Sequence, residues 1–141
     1  MSSTPVQDQQ YAGQRLGLPP TGRGAVASWR RRVLALVIDW FASLLAAAFI
    51  GSALGLGDTW TDWLPLLVFW IESSIGTAIA AGSFGQLAVR IAVRRIDGRP
   101  LDLFGALLRG LLICLVVPAV VYNRDNRGLH DLAVRSVVVN R

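Results

Sequence analysis

RRRVLALVIDWFASLLAAAFIGSAL, residues 30–54, decides how the rest of the chain is read. Three arginines open it, and from Val33 to Leu54 every residue is apolar or small except Asp39. As a helix those residues span about 33 Å at about 1.5 Å each, enough to cross a hydrocarbon core of about 30 Å. Trp29 stands before the arginines, where an interfacial anchor would stand. Working outward, the loop Gly55–Asp62 carries Asp58, Asp62 and Trp60 but no basic residue, and Trp63 follows it. A second apolar segment, Leu64–Gly82, is again long enough to cross and holds Glu72 near its centre. Arg90, Arg94, Arg95 and Arg99 come after it. Counting positive charges puts the N-terminus in the cytoplasm, the Trp-rich loop outside and the second arginine cluster back inside.

Composition agrees. Of 141 residues 53% are hydrophobic and 16% charged, so the charges are too few and too clustered to coat a soluble core. The mean hydropathy is +0.49. All 14 basic residues are arginine, and the net charge is +5. A pI near 11.0 raises nucleic acid as a partner. Arginines flanking apolar runs are accounted for more simply by anionic headgroups of a bilayer, so no nucleic acid is expected. The single cysteine, Cys114, and single histidine, His130, leave no disulfide framework and no metal site, and no cofactor is expected. His130-Asp131 lacks a serine or cysteine nucleophile at a diagnostic spacing, so the chain does not read as an enzyme. Residues 1–28, rich in Gln, Pro, Gly and Ser, read as a disordered cytoplasmic tail. The apolar run starts too late and runs too long for a cleaved signal peptide. The expected location is the plasma membrane, with several passes.

Beyond the second segment the period changes. Leu87, Val89, Ile91 and Val93 alternate with Ala88, Arg90, Ala92 and Arg94, a strand pattern. Asp97-Gly98 signals a tight turn and Arg99–Leu101 a short return strand, giving a hairpin over 87–101. Asp102 is a plausible N-cap for a third helix over about 103–122, broken near Pro118. If that segment crossed, Arg124, Arg127, Arg135 and Arg141 would lie on the wrong side. A re-entrant or interfacial segment returns them to the cytoplasm, where a C-terminal strand at 132–139 can join the sheet. The expected fold is thus an all-α membrane protein: two transmembrane helices, a third apolar helix that spans or is re-entrant or interfacial, and a small cytoplasmic β-hairpin or sheet.

Ionisable groups inside a bilayer are costly, by about 2.5–3.5 kcal/mol each, and point to function or pairing. Ala35, Asp39, Ser43, Ala47, Gly51 and Gly55 recur every fourth residue, which puts Asp39 on a stripe that admits a neighbouring helix. Glu72, Gly76 and Ala80 do the same beside Ser73, Thr77 and Ala81. Asp39 and Glu72 come out at depths about 7–8 Å apart by helical rise. Arg109 is the evident counter-charge for either. Two structural accounts compete with an ion or proton path: Asp39 paired to Arg32 two turns earlier, and Glu72 protonated and hydrogen-bonded.

These residues together resemble the RDD family of small bacterial membrane proteins, named for one arginine and two aspartates. Arg31–Asp39 is similar to the family's opening, and Arg127–Ala133 followed by Val137–Val139 to its closing Leu-His-Asp motif. By that match Arg32, Asp39 and Asp131 take the three signature positions. Between them, Gly82–Gln86 looks like a segment that usually carries Thr-Pro-Gly-Lys; Ser-Phe-Gly-Gln stands here instead and removes a lysine. The resemblance covers about residues 29–139. It implies a link with transport, in some members with sodium/proton exchange. Two functions follow as expectations. One is movement of a cation or proton through a homo-oligomer, with Asp39 and Glu72 relaying and Arg109 or Arg32 setting their charge. The other is a non-transporting accessory protein that docks a membrane-complex partner through its cytoplasmic segments.

Overall fold

The computed structural model describes residues 10–115, 131 and 134–141. Helix α1, Trp29–Leu54, starts at Ser28, whose hydroxyl accepts the Arg31 N–H. It stops at Gly55, where φ is 62° and the backbone N–H turns back on the Gly51 and Ser52 carbonyls. Helix α2, Asp58–Ala80, follows after three residues. Asp58 in its first turn suits the helix dipole. Helix α1 therefore starts four residues before the expected 33–54, and α2 starts six residues before and ends two residues short of the expected 64–82. Trp60 and Trp63 sit in the opening turns of α2, not in a loop. The two antiparallel helices are each long and apolar enough to cross a membrane.

The face α1 buries is Ala35, Asp39, Ser43, Ala47 and Gly51, the expected stripe except for Gly55, which is exposed. On α2 the buried residues are Phe69, Ser73, Ser74 and Thr77. Glu72 and Gly76 are half-buried and Ala80 is exposed, so the packed face is turned about one residue from the expected stripe. Both helices pack on each other through small and hydroxyl residues.

A short helix α3, Phe84–Ala88, occupies the start of the stretch expected to be a strand. Ser83 and Gln86 close a capping box there, each side chain taking the other's backbone N–H, and this local bonding overrides the alternation of the following residues. Strand β1 is then only Ile91–Arg95. It pairs antiparallel with β2, Ser136–Asn140, Val93 opposite Val138. The Asp97-Gly98 turn forms, with Gly98 at φ 82° and its N–H on the Arg95 carbonyl. No return strand follows over 99–101. The other flank of β2 is taken by the chain before α1: Gly24 and Ala27 donate to Asn140 and Val138, and Asn140 donates to Ala25. The expectation of a structureless 1–28 is therefore corrected from Gln10 onward. A single 3₁₀ turn spans Gln14–Leu16, and Ala25 and Ala27 are buried because β2 offers their backbone a partner. Residues 1–9 lie outside the described part.

Helix α4, Leu103–Cys114, runs antiparallel to α2. Ser74 Oγ donates to the Ala106 carbonyl (3.3 Å) and Trp70 Nε1 to the Leu107 carbonyl (2.9 Å). Farther along α4, Ile113 and Cys114 reach the level of Leu66. Twelve residues rise about 18 Å, roughly half the length of α1. The expected helix to residue 122 and the break at Pro118 lie outside the described residues. Because β2 pairs with β1 and Asp131 sits beside Arg32, the C-terminus is at the same end as residues 91–95. The sheet also closes a small apolar core of Ala27, Ile91, Val93, Leu101, Ala106 and Val138 under the helix ends.

Candidate functional site

The first turn of any helix leaves backbone N–H groups without intrahelical partners. Where water is scarce, side chains must take them. At α3 two acids do so. Asp39 Oδ1 accepts the Gly85 N–H (2.5 Å) and Oδ2 accepts the Ser83 hydroxyl (2.5 Å). Glu72 Oε1 accepts the Phe84 N–H (2.6 Å). The expected separation in depth thus gives way to convergence on successive amides. The helix bounds explain this: from the sheet end Asp39 is about 15 Å along α1 and Glu72 about 12 Å back along α2 at helical rise. Glu72 Oε2 is buried with no hydrogen-bond partner among the described residues.

Close approach makes this arrangement specific to glycine at 85. A Cβ built there would overlap the Ala35 carbonyl oxygen and stand 2.9 Å from Asp39 Cγ. Helix α3 is consequently seated directly on the small-residue face of α1.

A second constellation gathers the remaining deep charges. Asp131, with no exposed surface, accepts Arg109 Nε (2.9 Å) and Ser136 Oγ (3.1 Å) on Oδ1. Arg32 Nη1 reaches Oδ2 at 3.5 Å, and its Nη2 reaches the Val138 carbonyl at 3.5 Å. One carboxylate from the C-terminal segment so ties the start of α1 to the middle of α4. Arg109 forms no ion pair with Asp39 or Glu72 among the described residues, and Asp39 none with Arg32. The counter-charge expected for Asp39 and Glu72 is paired instead with Asp131.

Between α1 and α4, backed by α2, lies a cavity of about 490 Å³. Toward the sheet end Arg32, Ser83, Gln86 and Arg109 line it beside Trp29, Val33 and Val138, with Asp39 and Ser73 farther in. Its other end is apolar, formed by Trp40, Leu66, Phe69 and Ile113, with Leu36 between the two ends. Trp40 and Phe69 meet edge to face there, with ring centres 6.2 Å apart. Cys114 also lines it. Asp102 holds the N-cap position of α4, with no side-chain capping bond among the described residues. His130 lies outside the described part.

Sequence reasoning missed Ser83 and Gly85 as partners of Asp39, and Ser136 as a partner of Asp131. The Ser83-x-x-Gln86 spacing was the available signal for the first pair. Nothing local marks Ser136. Among the described residues no group of three or more His, Cys, Asp or Glu could hold a metal.

Compared with known proteins, residues 26–135 match the family model described as RDD family. No curated protein and no solved structure matches the chain.

Proposed function

The chain belongs to the RDD family, and from that premise we propose a multi-pass plasma-membrane protein whose intramembrane charges build a scaffold around a cleft. Its sheet and both termini lie in the cytoplasm. Charge supports that orientation: Arg30–Arg32, Arg90, Arg94, Arg95, Arg99, Arg135 and Arg141 cluster at the sheet end, while the start of α2 at the opposite end has Asp58 and Asp62. The observation that carries the scaffold reading is the internal pairing of the deep charges. Asp39 has Ser83 and Gly85, Glu72 has Phe84, and Arg109 has Asp131. Such groups hold elements in register, and the exposed turn at Ile96–Pro100 is free to dock an accessory partner.

The test is flux. Vesicles containing the protein, loaded with a proton- or sodium-sensitive dye, are expected to leak no faster than protein-free vesicles. Pull-down in mild detergent is expected to retain a partner that Ile96→Asp releases. A second reading has its own support: Asp39 borders the cavity and Glu72 keeps a buried oxygen without a partner. Under it, a homo-oligomer moves a cation or proton over these carboxylates. Flux that Asp39→Asn abolishes in folded protein would replace the scaffold reading with this one.

A further inference from the structure

We propose that the cleft between α1 and α4 holds an anionic phospholipid, its phosphate on Arg109 and one acyl chain against Leu36, Trp40, Leu66 and Phe69. This deepens the membrane reading above and rests on it. Arg109 is 4% exposed, yet only its Nε has a partner: the two terminal nitrogens donate to nothing among the described residues, and the side chain lines the cleft. A guanidinium carries five N–H donors in a planar fork, and those on the terminal nitrogens are left available to a ligand in the cleft. A phosphate takes such a fork through two parallel charge-assisted bonds. Asp39 borders the same cleft, but its oxygens already accept Ser83 and Gly85. Arg32 adds a second guanidinium at the polar end.

Polarity along the cleft sets the orientation. On α4, Ile113 is about 6 Å deeper than Arg109 at helical rise. On α1, Leu36 and Trp40 lie one and two turns deeper than Arg32. Head and tail of the ligand thereby align with lipids of the leaflet at the arginine-rich end. Among the described residues, α1 and α4 each pack mainly on α2. About 490 Å³ falls in the range of ligand sites, about 300–1,000 Å³, and suits part of a lipid, with the second chain left in the bilayer.

The chain's only cysteine provides the reporter, because Cys114 lines the cleft. Full-length protein is placed in phosphatidylcholine vesicles with or without phosphatidylglycerol, and maleimide alkylation of Cys114 is timed. Phosphatidylglycerol is expected to slow alkylation about tenfold, and Arg109→Lys, which keeps the charge facing Asp131 but loses the fork, to remove most of that protection. Leu66→Trp, which fills the tail end without touching an arginine, is expected to make the rate insensitive to lipid. Equal rates in both vesicles, or full protection in both variants, overturn the proposal. Equal protection by a fatty acid or by inorganic phosphate also overturns it, since a phospholipid is then not the ligand. Flotation of the same vesicles separates the two claims: protein that does not float sinks the membrane reading, whereas floating protein with unprotected Cys114 sinks the lipid site alone.

Discussion

The sheet end and the helices solve opposite packing problems. Around the sheet, Ile91 and Val93 have no exposed surface, and Arg90, Arg94 and Asp97 face outward, as in any water-soluble core. Along the helices the order is inverted. Leu45, Phe49 and Ile79 are 74%, 76% and 82% exposed, while Asp39, Ser43, Ser73 and Ser74 are buried. On the membrane reading proposed above, the difference lies in the surrounding solvent. Water drives apolar groups inward at about 25 cal/mol per Å². Lipid offers no such drive, so small and hydrogen-bonding residues hold the helix contacts. One chain of 141 residues thus contains two kinds of interior, and the Arg32–Asp131–Arg109 cluster sits where they meet.

That junction is the place to break the comparison most severely. Asp131→Ala leaves two largely buried guanidinia without their shared carboxylate. Removing one partner of a buried ion pair costs about 3–5 kcal/mol, and loss of the monodisperse peak in detergent gel filtration is the expected readout. Next in size is a charge on the helix surface. On a water-facing surface Leu45→Asp would stay within about 0.5 kcal/mol. Against lipid it should cost about 3 kcal/mol of insertion, seen as a drop in the membrane-inserted fraction in a glycosylation-reporter assay. Unchanged insertion would mean that the inverted order of the helices has another cause.

How much of this was legible depends on the range of the signal. The buried face of α1 could be read because small residues recur at every fourth position, and helical geometry alone converts that spacing into a face. On α2 the hydroxyls Ser73, Ser74 and Thr77 compete with Glu72, Gly76 and Ala80 for the same role, and the face turned toward the hydroxyls. The two partnered strands were read because β-branched residues gather at Ile91–Val93 and Val137–Val139; residues 87–88 were not, since the capping box dominates locally. At the site, the two acids were visible as misplaced charges. Their partners were not, because Asp39–Gly85 and Arg32–Asp131 are 46 and 99 residues apart in sequence, beyond any helical or strand period. The resemblance named Arg32, Asp39 and Asp131 together, but the structure divides them between two constellations.

Gly85 tests whether the helical interior is as tightly fitted as the sheet core. Gly85→Ala drives a methyl into the Ala35 carbonyl and the Asp39 carboxylate. Neither can move freely, one being helix backbone and the other held by Ser83. Overpacking of this kind costs about 1–3 kcal/mol, and a value near 2 kcal/mol is expected from thermal unfolding followed by tryptophan fluorescence in detergent. A neutral result would show that α3 slides on α1 and that the acids cap it loosely.

The smallest effect sharpens the comparison most. Ser74 is fully buried and donates to the Ala106 carbonyl, and its Oγ stands 2.8 Å from where a Cβ on Gly110 would be. In water-excluded helix packing, hydrogen bonds between helices average about 0.6 kcal/mol, so Ser74→Ala alone should lower stability by about that much. Gly110→Ala alone should cost more, because the new methyl meets Ser74 Oγ and, at 3.0 Å, Trp70 Cδ1. Combined, the two changes should cost less than their sum, since removing the hydroxyl opens space for the methyl. Contacting sites couple in this way by about 0.5–3 kcal/mol, and a double-mutant cycle on unfolding in detergent reads it directly. Additivity within about 0.3 kcal/mol would mean that α2 and α4 are not in the close contact that hydroxyl-and-glycine packing requires. Their interface would then have to be held by apolar area, as the sheet core is.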